Sequence, residues 1–380
     1  MSDYRWIPTF VLLLASLPGL LSAQQPPSWH DPSTHTVQFV TVDNDVKLEV
    51  LDWGGPGRAL VLLAGLGNTA HVFDDFAQKL TPEYHVYGIT RRGYGASSAP
   101  VPDKDNYSAD RLGDDVLAVL DALKLNQPVL VGHSIAGEEL SSIGSRHPER
   151  VAGLIYLDAA YSQAYYQPSL DSLTFDLADL QNKLEQFKAE KPRAEQRQLI
   201  RQLLQDTLPG VEKDLKGLQQ SFDAAPAEPK SGPEQTANDL ASFASLTSWM
   251  VRVQGYSAPE AELRQQWEAR PDGGVGKHFN YRAAASAIEA GEQKYSEIHA
   301  PVLAIFANPR KPGPYPYNTP AERAASVAWE AAGIDGVAKA FQAGVPSARV
   351  VQIPQSNHYV FISNEADVLR EMRAFLKDLP

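Results

Sequence analysis

One serine stands where the chain could turn a hydroxyl into a nucleophile. Pro128-Val129-Leu130-Val131 is a short apolar run, Gly132-His133-Ser134-Ile135-Ala136 follows it, and Gly137-Glu138-Glu139-Leu140 opens a helical pattern. A strand, a tight G-x-S-x-A turn and a helix make a nucleophile elbow, which presents the serine oxygen clear of the backbone. The turn forces Ser134 into a strained conformation, so small residues are expected at positions 132 and 136. The pattern alone is common: Gly95-Ala96-Ser97-Ser98-Ala99 fits it too, but Pro100 and Pro102 follow instead of a helix, so that segment reads as a loop.

A serine hydroxyl attacks well only when an imidazole takes its proton, and the same imidazole must later protonate the leaving group. Nine histidines are candidates. His133 adjoins the nucleophile, but neighbours in a tight turn point their side chains apart, which suits packing better than proton transfer. His71, His85, His147 and His299 read as surface or packing residues, and His278 stays open.

The elements that must position these groups follow from hydropathy. Residues 36–51 alternate apolar and polar around Asp43-Asn44-Asp45, the signature of an antiparallel hairpin. Apolar runs at 59–64, 85–90, 128–131, 151–157, 301–307 and 348–353 then recur with helical stretches between them. Strands alternating with helices predict an α/β fold, a mostly parallel sheet flanked by helices. Between 161 and 299 the sequence turns charged and helix-rich, with Leu177, Leu180, Leu184 and Phe187 at helical spacing and a Pro/Ala/Gly-rich break at 223–233. It reads as a helical cap inserted between core segments 36–160 and 300–380. Phe243, Trp249, Met250 and Tyr256 within it are candidates for lining a substrate pocket, against the plainer alternative that they form the insertion's own core.

From residue 36 to the end, most of the insertion aside, the chain resembles the α/β-hydrolase family. The motifs are Leu63-Ala64-Gly65-Leu66-Gly67, Arg92-Gly93-Tyr94-Gly95-Ala96-Ser97, the elbow, Arg146-His147-Pro148-Glu149-Arg150-Val151 and Ser356-Asn357-His358-Tyr359-Val360-Phe361, in the family's order. The resemblance implies that His358, after the last strand, is the general base. The family most often supplies the orienting acid after the strand at 301–307, but there the chain reads Asn308-Pro309-Arg310-Lys311-Pro312, without a carboxylate. Some capped members place it where Asp158 stands, which makes Asp158 the expected acid and Glu322 the reserve. The oxyanion of an acyl-transfer intermediate needs two N–H donors, expected from the backbones of Ile135 and Leu66. The reaction implied is cleavage of an ester, lactone or related acyl bond in a small molecule.

Other readings remain at this level. Gly65-Leu66-Gly67-Asn68-Thr69-Ala70 fits G-x-G-x-x-A, with Arg91 and Arg92 placed to hold a 2′-phosphate, but a hairpin precedes the strand and no Tyr-x-x-x-Lys pair exists, which disfavours an NADP site. A silent ligand-binding member, perhydrolysis and C–C hydrolysis would use the same architecture. Relatives with an aspartate nucleophile, dehalogenases and epoxide hydrolases, are disfavoured by Ser134. No cofactor is expected, and no His/Glu/Asp cluster at ligand spacing suggests a metal.

Composition sets the surroundings. With 46 acidic against 34 basic side chains, the formal charge of −12 argues against a nucleic-acid surface. Arg5, the apolar run 7–21 with Pro8 and Pro18, and Ala23 follow the plan of a signal peptide spanning 1–23, with a linker at 24–35. Export to the periplasm or exterior is the expectation, with no stable membrane anchor after cleavage. Without cysteine, stability outside the cytoplasm must come from packing.

Overall fold

A computed structural model describes residues 29–167, 173–230 and 232–380; the expected signal peptide lies outside the described residues. The alternating segment forms the hairpin β1 (Thr36–Asp43) and β2 (Val46–Gly54), turning through Asp45 at φ 59°. The apolar runs become β3 (Ala59–Leu63), β4 (His85–Ile89), β5 (Val129–His133) and β6 (Gly153–Leu157). After a small antiparallel pair, β7 (Trp267–Ala269) and β8 (Val275–His278), come β9 (Val302–Ala307) and β10 (Ala348–Ile353).

Eight strands make one sheet in the order β1-β2-β4-β3-β5-β6-β9-β10. The hairpin enters antiparallel, and every pairing from β4 to β10 is parallel. Buried on both faces, the inner strands are apolar but for His133 at the end of β5, and β5, β6 and β9 have no exposed residue. On one face the helix Ala109–Ala122 sets Leu112, Val116 and Leu120 inward, starting at Ser108, whose side chain accepts from the Arg111 amide. On the other, the helix Glu365–Asp378 buries Val368, Leu369, Met372, Phe375 and Leu376, one stripe at helical spacing. Each such side chain contributes about 1.5–3 kcal/mol on leaving water.

The segment between β6 and β9 holds the helices Leu173–Lys188, Arg193–Gln202, Leu208–Ala224, Phe243–Gln254, Glu260–Gln266 and Arg282–Ala290. Beside the helices expected there, it also holds β7 and β8, which close around Asp272-Gly273, where the Asp272 carboxylate accepts from the Gly274 amide. The spacing at 177–187 becomes the helix it predicted, with Leu177, Leu184 and Phe187 exposed. The last residues of the expected linker are tied to the core, with Ser33 and His35 both bonded to Asp74. No helix among the described residues is long and apolar enough to cross a membrane.

Candidate active site

Because β5, β6, β9 and β10 run parallel and adjacent, the residues following each of them arrive at the same edge of the sheet. Ser134 follows β5, Asp158 follows β6, Arg310 lies just beyond β9 and His358 lies just beyond β10. Sequence separations above 200 residues thereby become contacts.

His358 Nδ1 donates to Asp158 Oδ2 at 2.7 Å, leaving Nε2 to accept from the Ser134 hydroxyl at 2.9 Å. Ser134 has φ 56° and Asp158 φ 46°, both in the left-handed region that non-glycine residues enter at a cost of about 1–3 kcal/mol each. The fold therefore holds two members of the line in strained backbone. What permits this at the elbow differs in part from expectation. Ala136 is accommodated, and the close approach falls on Gly137, where a Cβ would lie 2.0 Å from the Ala159 carbonyl oxygen. That contact draws the helix after Ser134 against the chain leaving Asp158. Gly65 is equally constrained, since a Cβ there would come within 2.7 Å of His133 Nδ1 and 3.2 Å of Ser134 Cβ.

Asp158 is fully buried and saturated with donors. Its Oδ1 accepts from the Tyr161 hydroxyl at 2.5 Å and the Ala307 amide at 3.0 Å, and its Oδ2 from Arg310 at 2.7 Å as well as from His358. Burial opposes its ionisation; the bond from His358 and the charge of Arg310, with help from Tyr161, outweigh that and hold the carboxyl below its ordinary range. Arg310 and Tyr161 were not among the residues singled out from sequence. The signal was present, however: a cation stands after β9, where the sequence lacks the carboxylate most common at that place, and it complements an acid at the end of β6.

His133 packs against His358 with ring centroids 4.7 Å apart and donates from Nε2 to the His358 carbonyl at 3.0 Å, so it supports the His358 ring from behind. Burial, and then the neighbouring His358, push it down to about 3, so it stays neutral. Glu322 is not brought to the site. Its carboxylate accepts from the Asn318 and Thr319 amides and caps the helix Pro320–Gly344 on an exposed surface. Its place after a Pro-rich loop served a helix start.

Leu66 and Ile135 border, with Ser134 and His358, a cavity of about 410 Å³ that Glu289 and Gln163 help to line. Ile135 belongs to the first turn after β5, whose amides have no partner within the helix. A larger cavity of about 580 Å³ is also bordered by Leu66 and is lined in part by Met250, Tyr256, Tyr281 and Tyr359. Phe243 and Trp249 face elsewhere: they pack with Leu246, Leu263 and Val275 in the inserted segment's own core, because the helix Phe243–Gln254 turns that side toward Glu260–Gln266. His278 lines the larger cavity and meets Trp267 edge-on.

One further contact ties the inserted segment to the loop bearing Leu66. The fully buried Glu262 carboxylate accepts from Asn68 Nδ2 at 2.9 Å, the Thr69 amide at 3.1 Å and Gln266 Nε2 at 2.7 Å. Asn68 Oδ1 in turn accepts from the Tyr359 hydroxyl at 2.8 Å, beside His358.

Comparison with known proteins identifies the family. A family profile described as alpha/beta hydrolase fold matches residues 58–365. The chain belongs to this family. Among curated relatives, a fluoroacetate dehalogenase of a Burkholderia species is 37% identical over 107 residues, 28% of this chain and 35% of that protein. A putative carbamate hydrolase of Caulobacter segnis is 34% identical over 119 residues, 31% of this chain and 44% of that protein. The matches thus span less than half of either relative. An epoxide hydrolase structure from Vigna radiata superposes with a TM-score of 0.56 at 15% identity, covering 91% of this chain and 98% of that one, a likeness of α/β-hydrolase fold.

Proposed function

We propose that the protein is an exported serine hydrolase that cleaves an ester, lactone or related acyl bond of a small molecule. The observation that carries this reading is the unbroken line Ser134 Oγ, His358 Nε2, His358 Nδ1 and Asp158 Oδ2, at 2.9 Å and 2.7 Å, on a serine held at φ 56°.

In the proposed reaction Ser134 Oγ attacks the carbonyl carbon while its proton passes to His358 Nε2. The oxyanion is received by the Leu66 and Ile135 amides, whose residues line the cavity at Ser134. Collapse breaks the acyl–oxygen bond, the leaving alcohol takes the proton from His358, and the acyl group stays on Ser134. Water, deprotonated by His358, then releases the acid. A hydroxyl at the nucleophile position favours this route over one with a carboxylate nucleophile, even though similar proteins bear dehalogenase and epoxide hydrolase names.

The segment 161–299 acts as a cap in this reading, with Met250 and Tyr256 contributing to substrate choice. Export rests on the composition of residues 1–23, and N-terminal sequencing of secreted protein should begin at Gln24.

The test is labelling of the folded protein with a fluorophosphonate, with the adduct located by peptide mass spectrometry. Adduct on Ser134, and none in Ser134→Ala, is expected; hydrolysis by that variant should fall by a factor on the order of 10⁶. A folded protein that takes no label would instead favour a silent ligand-binding role.

A further inference from the structure

Four side chains remote from Ser134 in the sequence are gathered at a place the proposed reaction does not use. Asp31 and His35 precede β1, while His71 and Asp74 lie in the short helical turns Ala70–Phe73 and Asp74–Ala77 after β3. One donor atom from each lies within 4.8 Å of all the others. No sequence spacing announces the group, because its two halves stand 39 positions apart, as for His35 and Asp74.

The contacts are those of a ligand cage. His71 Nδ1 is 3.2 Å from Asp74 Oδ2 and 3.5 Å from Asp31 Oδ2, and His35 Nε2 is 3.6 Å from Asp31 Oδ2, while the other ring nitrogen, His35 Nδ1, lies 2.9 Å from Asp74 Oδ1 outside that set. Donors at bond lengths of about 2.0–2.2 Å around a tetrahedral ion stand about 3.3–3.6 Å from one another. The side chains of His35, His71 and Asp74 are nearly sealed from solvent, whereas Asp31 is one-quarter exposed and leaves an entry side.

A second observation points to a cation. His71 Nε2 is buried without a hydrogen-bond partner among the described residues, and it faces Glu49 Oε1 at 3.7 Å. An imidazole bound to an ion through Nδ1 carries its proton on Nε2, and a carboxylate behind that proton is the usual outer partner. Asp74 Oδ1 is likewise oriented from outside, by Trp53 Nε1 at 3.1 Å and Ser33 Oγ at 2.8 Å. Two carboxylates would balance a divalent charge that burial keeps from water.

We propose that Asp31, His35, His71 and Asp74 form a site for a divalent first-row transition-metal ion that clips the segment before β1 onto the sheet. Two imidazoles and two carboxylates suit zinc. In a chain without cysteine, such a clip ties down the N-terminal segment where no disulfide can.

The test uses the full protein, stripped with chelator and titrated with zinc chloride alone, with bound metal measured by mass spectrometry. One equivalent should bind and raise the thermal midpoint, and His358→Gln should still bind it. Asp31→Asn and His35→Gln should lose it, and Glu49→Gln should weaken it about 10–100-fold. Cobalt(II) in place of zinc should give the intense visible bands of a four-coordinate ion, a readout on the unaltered protein. Folded protein that takes up no stoichiometric zinc, cobalt bands of a six-coordinate ion only, or unchanged binding in folded Asp31→Asn and His35→Gln would overturn the site, leaving a cluster of His–Asp ion pairs.

Discussion

In the proposed reaction Asp158 orients His358 while sharing its Oδ2 with Arg310. Replacing it with asparagine keeps the shape but favours the wrong imidazole tautomer, so kcat of Asp158→Asn should fall by a factor on the order of 10⁴ with an unchanged circular dichroism spectrum. Glu322→Gln should leave kcat where it is and cost no more than about 1 kcal/mol of stability through the helix cap. The opposite pattern would make Glu322 the acid. Glu138 presents a different problem: it is fully buried beside the elbow, and neither carboxylate oxygen has a partner among the described residues. Burial, with Glu139 nearby, pushes its carboxyl well up. A raised carboxyl favours the fold at low pH and costs stability as pH rises above its ordinary range. Glu138→Met should therefore raise the urea midpoint more at pH 8 than at pH 4; equal gains at both would contradict the burial argument.

At the scale of elements, the helix Glu260–Gln266 meets the loop after β3 through Glu262. That loop also carries Leu66, so its stiffness bears on the proposed oxyanion amides. Glu262→Ala leaves the Thr69 amide and Asn68 without their acceptor, at a cost of about 1–3 kcal/mol. We expect kcat to fall about tenfold with a smaller change in KM; a change confined to KM would assign Glu262 to substrate binding instead. Elements were also where hydropathy reading worked best. The hairpin and six later apolar runs became strands because apolar stretches bounded by turn residues have few other ways to hide their surface. It missed β7 and β8, four residues or fewer each, while the helical spacing of Leu177, Leu184 and Phe187 did become a helix, with those side chains exposed.

The whole molecule depends on pH through groups buried in one protonation state. His133 is pushed down to about 3, whereas a free imidazole titrates near 6.5. Its contribution is complete above about pH 6.5 and is lost as pH falls from there toward 3, because the unfolded chain binds the proton first. The unfolding free energy should decline over that range, and His133→Asn should show a flatter decline; parallel curves would mean that other groups set the acid limit.

Ser134 and its turn were legible from the sequence because an elbow is local: strand, small residues and helix must be consecutive to make it. The parallel sheet was legible for a related reason, since hydrophobic periodicity is written residue by residue. His358 and Asp158 could be singled out only through family resemblance, because their use depends on which strand lies beside which, and that order is not the order of the chain. Arg310 on Asp158, Glu262 on the Leu66 loop, and the joining of Asp31 and His35 to His71 and Asp74 were decided by tertiary structure alone. Each is a contact between charged or polar groups far apart in sequence, and although Arg310 after β9 was a local hint, only the packing of the strands and helices between the partners sets their distance.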